Sequence, residues 1–505
     1  MRLILLCAAA AFAFVQPVGA RETKRLKPDQ IVAEAAAAAR AAAHLDIIAR
    51  LDDAPGGSRL NAVIVVNPAA PAEAARLAAT GHLKGRTVLV KDNIETREWA
   101  TTAGSLALAN NQTRRDAPLI ARLRADGGVV LGKTNLSEWA NIRSNHSSSG
   151  WSGVGGQTRN PHATDRNPCG SSSGSGAAVA AGMAWAAIGT ETDGSITCPA
   201  SINGIVGLKP TVGMVSRTFV VPISHSQDTA GPMAKSVADA ALLLGAIAGG
   251  DPRDPATAEA DAHSQDFAAG LATSSLKGVR IGVLRKYAGR LAGVQALFAQ
   301  AQADLVAAGA VLVPIDYEFP ESLGTNEETV LHFELREDLN AYLAALPGNP
   351  AVRSLSDVIA FNQAHADQEL RWFGQETFLA ADKPVDRVAY LKARADSLRQ
   401  AGAEGIDLLL RQNNVAALIA PTDGPAWPID LIAGDHYLPV GAGSLAAVAG
   451  YPHLSVPMGQ VEGLPIGLSF MGAKWSDKAM LDLGAAYERA RTARLNPPGF
   501  KRWSE

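Results

Sequence analysis

The sequence has little excess charge, few cysteines and no internal repeat. Its 46 lysine and arginine residues against 49 aspartate and glutamate residues leave a formal net charge of −3. This balance argues against nucleic acid as the main partner, because a phosphate-binding face usually needs a basic excess. The ten histidines show no spacing typical of metal ligands. These absences leave an ordinary globular protein, and 505 residues are enough for a large buried core.

The first twenty residues differ in composition from the rest of the chain. Arg2 gives a positive start, residues 3–15 form an apolar run, and Val18-Gly19-Ala20 supplies the small residues of a cleavage site. This pattern predicts a signal peptide over residues 1–20 and a periplasmic or secreted protein. An uncleaved anchor is the alternative, although the run is short for a membrane span, and no other stretch approaches that length.

The remaining chain, residues 21–505, alternates between short apolar segments and segments with helical periodicity. An N-terminal helical segment is predicted over residues 28–55 from its apolar spacing. The predicted strands are 62–66, 86–90, 128–131, 279–284, 311–315, 415–420, 454–457 and 466–470, and the predicted helices are 71–80, 116–125 and 294–308. This alternation predicts an α/β fold around a buried mixed sheet. The more charged residues 325–413 are interpreted as a helical insertion over the sheet.

The segment from Cys169 to Ser201 holds two loops rich in glycine and serine. The first loop centres on Ser171 and the second on Ser195, and residues 177–188 between them are nearly all apolar. That run is long enough for a buried helix, which a flexible linker would lack. Glycine allows backbone conformations that a side chain would forbid, and serine supplies hydroxyl groups. The pattern therefore indicates a catalytic pair of serines held in register.

These motifs resemble those of the amidase signature family, whose members hydrolyse amides with a Ser–Ser–Lys triad. G-S-S-S-G-S at 170–175 is similar to the family's first serine loop, and G-T-E-T-D-G-S-I at 189–196 is similar to its nucleophile loop. Three more segments match family segments: V-L-V-K-D-N-I at 88–94, G-L-K-P-T at 207–211 and D-T-A-G-P-M at 228–233. The resemblance covers roughly residues 60–495. It implies the amidase signature fold, a central mixed twisted sheet covered by helices on both faces.

The resemblance assigns a role to each residue of the triad. Ser195 attacks the carbonyl carbon and forms an acyl-enzyme, Ser171 relays the proton, and Lys91 is the terminal base. A serine hydroxyl is a poor nucleophile until a base takes its proton. Lys91 must therefore be neutral, and burial at the end of an apolar strand would lower its pKa. Asp92 would point to the opposite side of that strand.

The resemblance also implies an oxyanion hole built from backbone N–H groups of the second loop. The donors are those of Thr192, Asp193, Gly194 and Ser195, and preorganised donors of this kind often provide the largest single contribution to rate. In the family the peptide bond before the relay serine, here Gly170–Ser171, is cis. Because the triad supplies every chemical role, the resemblance implies no metal and no cofactor.

The second loop departs from the commoner family form, G-T-D-x-G-G-S-x-R. Glu191, Asp193 and Thr197 stand where that form has aspartate, glycine and arginine. This variant resembles the branch that contains bacterial peptide amidases, which remove the C-terminal amide of peptides. The segments at 421–430 and 444–452 resemble the same branch.

The expected function is that of a secreted amidase that converts a carboxamide to a carboxylic acid and ammonia. A peptide C-terminal amide is the expected substrate, with fatty-acid, aryl and small aliphatic amides as alternatives. Asp423 and Trp427 are candidate substrate-binding residues. An equally good interpretation is that Asp423 is a turn residue and that Trp427 packs in the core above the turn. Neither nucleic acid nor a stable membrane anchor is expected as a partner, and the oligomeric state stays open.

Apart from Cys7 in the predicted signal peptide, the chain has two cysteines, Cys169 and Cys198, each beside one serine loop. If the loops touch, the thiols are neighbours in an oxidising compartment. Two residues do not suffice to deduce a disulfide. Two buried thiols that act as small apolar groups are the favoured interpretation.

Two other functions compete with the amidase interpretation. Residues 127–134 match G-x-x-x-x-G-K-T, the phosphate-binding loop of nucleotide-binding proteins. That loop follows a strand, whereas residues 129–131 are themselves predicted as a strand. The transamidating enzyme that acts on charged tRNA is the second competitor, and the predicted signal peptide argues against it.

Overall fold

A computed structural model describes residues 28–53, 58–384 and 386–503. The predicted signal peptide lies outside these residues. Among the helices of the described ranges, none is long and apolar enough to cross a membrane.

The described residues contain thirteen β-strands, eleven of which form one sheet. In chain order the strands are β1 (Val63–Val66), β2 (Thr87–Lys91), β3 (Val129–Thr134), β4 (Trp151–Ser152), β5 (Gly156–Gln157), β6 (Ala186–Glu191), β7 (Val206–Lys209), β8 (Thr229–Ala234), β9 (Arg280–Leu284), β10 (Val311–Ile315), β11 (Ala417–Pro421), β12 (His453–Val461) and β13 (Leu464–Met471). The large sheet has the order β1-β3-β2-β6-β8-β7-β12-β13-β11-β9-β10, and β4 and β5 form a separate hairpin. Strands β3, β2 and β6 run parallel, as do β11, β9 and β10, while the other neighbours are antiparallel. The predicted mixed sheet is thus confirmed.

Helices flank this sheet, and helices also make up most of the sequence between the end of β10 and the start of β11. The α-helices are α1 (Pro28–Ile48), α2 (Ala70–Leu77), α3 (Pro118–Ala125), α4 (Ser173–Ala180), α5 (Thr197–Ile202), α6 (Val237–Ile247), α7 (Ala260–His263), α8 (Ala292–Ala307), α9 (Ser322–Ala344), α10 (Leu355–Ala364), α11 (Glu376–Ala381), α12 (Arg387–Leu398), α13 (Asp407–Asn413), α14 (Ser444–Ala449) and α15 (Asp477–Ala490). Short 3-10 helices lie at Leu106–Leu108, Glu138–Asn141, Pro255–Glu259, Leu271–Thr273 and Arg285–Ala288, and π-helical turns at Ala49–Asp53 and Arg399–Ile406. Helices α9 to α13 occupy the region interpreted as a helical insertion.

Strand β2 shows why helices cover both faces of the sheet. Val88 and Val90 join one buried cluster, which includes side chains of α3, α6, α8 and α15. Leu89 joins a second cluster, which includes side chains of α1, α2 and α4. Alternate residues of a strand point to opposite faces. Lys91 therefore lies on the face of Leu89, towards α4, and this direction positions the site described below.

Two local predictions are wrong. Residues 177–188 do not form one helix, because α4 ends at Ala180, Gly182 adopts a φ of +78°, and β6 begins at Ala186. A positive φ favours glycine and reverses the chain, so that β6 can pair with β2. The helix predicted over residues 116–125 begins later, at Pro118, and Asp116 does not cap it. The carboxylate of Asp116 instead accepts the N–H of Arg97.

Candidate active site

Lys91 lies at the carboxyl end of β2, fully buried beside the neighbouring strand β6. Its Nζ atom is 2.7 Å from Ser171 Oγ, 2.9 Å from Thr190 Oγ1 and 3.1 Å from the carbonyl oxygen of Thr190. All three neighbouring atoms belong to neutral groups. A neutral amine has two N–H donors and one lone pair. The two donors fit the two oxygens of Thr190, which leaves the lone pair directed at the hydroxyl of Ser171.

The electrostatic surroundings favour this neutral amine. Burial lowers the pKa of Lys91 to about 7, and the more distant carboxylates of Asp228 and Glu191 oppose that shift. Desolvation disfavours the charged form of a lysine, as expected for a general base. Lys91 can therefore accept a proton near neutral pH.

The carboxylate next to Lys91 in the sequence is directed away from it. Asp92 forms a buried ion pair with Lys133, 2.9 Å between Oδ1 and Nζ, and also accepts the hydroxyl of Thr102. Because Asp92 is paired on the other face of β2, it does not stabilise a positive charge on Lys91. Lys133 and Thr134, the last two residues of the phosphate-loop pattern, lie inside β3. Thr134 Oγ1 is 2.8 Å from Ser175 Oγ, so these residues have packing roles.

Ser171 lies in a tightly packed loop that other serines brace. The Gly170–Ser171 peptide bond is cis. A Cβ atom on Gly170 would lie 2.1 Å from Ser137 Oγ, so a larger residue would displace that hydroxyl group. The other serines of the loop are used in bracing: Ser173 Oγ donates to the carbonyl of Cys169 at 2.6 Å, and Ser175 Oγ to that of Ile188 at 3.2 Å.

The loop that carries Ser195 is closed by Glu191. Its carboxylate accepts the N–H groups of Ile196 and Thr197 at 2.7 and 2.9 Å, and the Thr197 hydroxyl at 3.2 Å. Glu191 and Thr197 are two of the three departures from the commoner family loop, and the structure shows that they pair with each other. At the turn itself Gly194 has a φ of +76°, which favours glycine.

The two serine loops are joined, although their side chains do not meet directly. The N–H of Ser172 donates to the carbonyl of Ser195 at 3.1 Å. Within the described residues, no hydrogen bond joins Ser171 Oγ to Ser195 Oγ. Contacts of this kind are often long before a substrate binds. The structure thus places Lys91 against Ser171 and places the loop that carries Ser195 beside the loop that carries Ser171.

The backbone donors of the second loop remain available. Over the described ranges, the N–H groups of residues 192–195 donate to no protein acceptor, whereas those of the next two residues go to Glu191. The side chain of Thr192 faces away and donates to Asp228 at 2.6 Å. Free backbone donors beside a serine are the arrangement that stabilises an oxyanion.

A disulfide bond links the two loops, so the favoured expectation of two unbonded thiols is wrong. Cys169 and Cys198 are bonded, with their Cα atoms 6.1 Å apart. The bond joins the residue two positions before Ser171 to the residue three positions after Ser195. The two cysteines are 29 residues apart, and their approach depends on the folding together of α4, β6 and α5, which no local pattern reveals.

Replacing both cysteines by alanine should lower the free energy of unfolding by about 3–4 kcal/mol, because the bond restricts a loop of intermediate length in the unfolded chain. Chemical denaturation of wild type and variant measures this difference. The control is denaturation of both proteins with and without reductant. Reductant should lower the stability of the wild type and leave that of the variant unchanged. Equal midpoints for both proteins would contradict the predicted contribution of the bond.

Asp423 and Trp427 both lie near this disulfide. A carboxylate oxygen of Asp423 lies within 4.8 Å of both sulfur atoms. Burial raises the pKa of Asp423 to about 7, and the negative charge of Asp435 adds to the shift. Trp427 packs in the apolar cluster that contains both cysteines, and its Nε1 donates to Asp435 at 3.0 Å. Asp423 is the more accessible of the pair, because Trp427 is only 5% exposed.

Several residues that shape the site were not predicted from the sequence. Thr190 lies inside the nucleophile-loop motif, and its role in holding Lys91 appears only in the structure. Asp228 lies in the matched segment 228–233. Its carboxylate accepts the hydroxyl of Thr192 at 2.6 Å and the N–H of Ser224 at 2.9 Å. Gln227 donates to Glu327 of α9 at 2.8 Å, and Glu327 in turn contacts the Asp193 carboxyl group. A long-range contact of this last type leaves no signal in the sequence.

One further group of possible metal ligands forms only in the tertiary structure. The side chains of His225, Glu334 and Asp338 approach within 4.8 Å of one another. Glu334 is already satisfied by the hydroxyls of Ser226 and Tyr390, at 2.5 and 2.8 Å. The nearby carboxylates raise the pKa of His225, chiefly through its hydrogen bond to Asp338. The group is thus explained as a hydrogen-bonded cluster.

Comparison with known proteins agrees with this geometry. The model of the amidase family matches residues 50–481. The X-ray structure of the native peptide amidase from Stenotrophomonas maltophilia is 50% identical, with a TM-score of 0.87 over 92% of this chain and 95% of that chain. A probable amidase of Arabidopsis thaliana is 38% identical over 87% of this chain and 85% of its own length. The crystal structure of an amidase family protein from Bacillus anthracis is 33% identical, with a TM-score of 0.81 over 92% of this chain and 89% of that chain.

The sheet topology and the contact between Lys91 and Ser171 thus occur in a chain that is similar to amidases over nearly its whole length. The matched region includes β2, both serine loops and the disulfide. The chain therefore belongs to the amidase family and is a hydrolase that acts on amide C–N bonds.

Proposed function

We propose that this protein is an exported peptide amidase that removes the C-terminal amide of peptides through a Ser195–Ser171–Lys91 triad. The observation that carries the proposal is the buried amine of Lys91, which has only neutral neighbours and lies 2.7 Å from Ser171 Oγ. An amine in that environment acts as a base near neutral pH, which serine chemistry needs.

The first half of the reaction forms an acyl-enzyme. Ser195 Oγ attacks the carbonyl carbon of the amide, and its proton passes to Ser171 Oγ, whose own proton moves to Lys91 Nζ. The negative charge that develops on the carbonyl oxygen accepts hydrogen bonds from the N–H groups of residues 192–195. When the tetrahedral intermediate collapses, Lys91 returns its proton through Ser171 to the leaving nitrogen, which departs as ammonia.

The second half releases the acid. Water attacks the ester carbon and loses a proton along the same path, from Ser171 to Lys91. Collapse of the second tetrahedral intermediate then protonates Ser195 Oγ and frees the carboxylic acid. One base and one set of donors serve both halves, because the two tetrahedral intermediates carry their charge on the same oxygen.

The peptide substrate is supported by similarity and by the form of the second loop. The chain is 50% identical to a peptide amidase over nearly its whole length. That loop differs from the commoner family form at Asp193, whose carboxyl group contacts Glu327 and Ser444. Side chains of two other elements are therefore coupled to the nucleophile loop in this protein.

Ammonia release across a panel of amides tests the substrate class. We expect kcat/KM for N-acylated dipeptide amides to exceed that for butyramide, benzamide and dodecanamide by at least about tenfold, because each extra well-made substrate contact contributes about that factor. The Ser195→Ala enzyme is the background control. The fastest turnover on the fatty, aryl or small aliphatic amide would instead favour the corresponding alternative.

Export is proposed from the N-terminal pattern and from the disulfide. A stable disulfide is typical of an oxidising compartment, and the bond between Cys169 and Cys198 fits such a location. N-terminal sequencing of protein from the periplasm or medium should begin at Arg21. A chain that starts at Arg21 after a new methionine is the control and should stay in the cytoplasm. Recovery of the full-length chain only from the cytoplasm would contradict the proposal.

A further inference from the structure

We infer that Asp423 determines specificity: its carboxyl O–H donates a hydrogen bond to the carbonyl oxygen of the peptide group that precedes the terminal amide. The inference rests on the proposed peptide amidase function. It gives that function a physical basis, since simple carboxamides lack the second carbonyl group.

The position of Asp423 supports contact with the substrate. It lies two residues beyond the end of β11, with a carboxylate oxygen within 4.8 Å of both sulfurs of the disulfide. That disulfide joins the loop of Ser171 to the loop of Ser195. Asp423 therefore borders both serine loops, and the residue as a whole is half-buried.

The carboxyl group of Asp423 has an oxygen that the protein does not use. Oδ1 accepts the N–H of Gly424 at 2.7 Å. In the part of the chain that the structure describes, Oδ2 has no hydrogen-bond partner. Withdrawing a polar atom from water costs free energy unless the atom forms a hydrogen bond. A ligand that supplies a hydrogen-bond partner for Oδ2 is therefore favoured.

Asp435 provides a contrast within the same region. Its carboxylate accepts both the N–H and the hydroxyl of Ser149, at 2.9 and 2.6 Å. It also accepts Asn167 Nδ2 at 3.1 Å, Trp427 Nε1 at 3.0 Å and the hydroxyl of Tyr437 at 3.2 Å. Donors of this number stabilise the ionised form of a carboxyl group. Burial raises the pKa of Asp435, and these donors oppose that shift, so Asp435 is the more readily ionised of the two.

This contrast decides which carboxyl group carries a proton. The titratable side chains that face Asp423 are Asp435 and Tyr437, both on the segment 428–441. Two neighbouring carboxyl groups in different surroundings have pKa values that move apart. Asp423, with one donor, burial and a negative neighbour, has a pKa of about 7 and holds its proton below that pH. In that state it is a hydrogen-bond donor.

The substrate offers one acceptor that suits this donor. The carbonyl oxygen of the terminal amide is directed to the backbone N–H groups of residues 192–195 in the proposed mechanism. The next acceptor along a peptide is the carbonyl of the preceding peptide group. A free carboxylate at Asp423 would repel that oxygen, so the contact depends on the protonated form.

A ratio of two kcat/KM values tests this contact. The substrates are N-acetylphenylalaninamide and 3-phenylpropanamide, which share the ring and the terminal amide, while only the first has the preceding acyl group. The titration of Lys91 affects both substrates and cancels in the ratio. We expect the wild-type ratio to fall as the pH rises through about 7, where Asp423 loses its proton. Loss of such a contact lowers the ratio about 10- to 100-fold.

Variants separate the donor from a structural role. Asp423→Asn keeps a donor that does not titrate, so its ratio should be high and independent of pH. Asp423→Leu should have a low ratio at every pH, because leucine offers no donor to the preceding carbonyl group. Asp316→Asn, an exposed aspartate paired with Lys286 at 2.8 Å, controls for the loss of one negative charge.

The outcomes distinguish this inference from the proposed function. A wild-type ratio that does not change with pH overturns the inference while leaving peptide amide hydrolysis intact, and this measurement needs no variant to fold. A Leu variant that slows both substrates equally also overturns it. Wild-type enzyme that hydrolyses 3-phenylpropanamide but not the N-acetyl compound overturns the proposed peptide substrate and the inference together.

Discussion

The Ser195→Ala enzyme should form no acyl-enzyme and should hydrolyse amides at least about 10⁴-fold more slowly than the wild type, since loss of a nucleophilic serine removes a covalent path worth up to about 10⁶. Alanine replaces only a hydroxyl group, and Glu191 continues to hold the loop through the N–H groups of Ile196 and Thr197. Ammonia release measures the rate, and mass spectrometry of enzyme quenched during turnover detects the acyl group.

Two neighbouring serines give matched comparisons for this variant. Ser171→Ala should form the acyl-enzyme slowly and keep a weak residual rate, because a water molecule can bridge the gap to Lys91. Ser175→Ala should keep most of the activity, because the hydroxyl of Ser175 braces the loop by donating to the carbonyl of Ile188 and has no role in the proposed proton path. Near-normal turnover by Ser195→Ala would refute the assignment of the nucleophile.

Replacing Lys91 by methionine should lower kcat/KM about 10²–10⁴-fold, the usual contribution of a general base. In the wild type, kcat/KM for a non-ionising amide should rise with pH through about 7, where Lys91 loses its proton, and then level off. The variant should lack this rise. The methionine side chain has a volume similar to that of lysine. Without the lysine amine, Thr190 Oγ1 still accepts Asn93 Nδ2 at 2.9 Å, and the Thr190 carbonyl still accepts the hydroxyl of Ser172 at 3.1 Å.

The stability of the two proteins gives a second readout. The pKa of Lys91 is lowered from 10.5 to about 7 by folding, so between these values the unfolded chain binds a proton that the folded chain lacks. The contribution of Lys91 to the free energy of unfolding therefore increases with pH across this range. That slope should be smaller in Lys91→Met. A variant that keeps both the wild-type rate and the rise through pH 7 would show that Lys91 is not the base.

Much of the fold could be predicted because its elements are locally encoded. Strands such as β1 and β10 are continuous apolar runs, and the alternation of such runs with helices indicates a sheet covered on both faces. The predicted helix over residues 177–188 is wrong because α4 and β6 are both buried, and burial removes the periodicity that separates a helix from a strand. Only the positive φ at Gly182 and the pairing of β6 with β2 resolve it.

The family, the α/β class and the identity of Lys91, Ser171 and Ser195 as candidate catalytic residues follow from the sequence alone, because they depend on short motifs and local patterns. Other features of the site depend on contacts between distant segments. Folding bonds Cys169 to Cys198, pairs Asp92 with Lys133 and brings Asp423 beside both serine loops. The pKa of a buried group depends on neighbours distant in the chain. The chemistry of this site is therefore a property of the folded protein, and no single segment contains it.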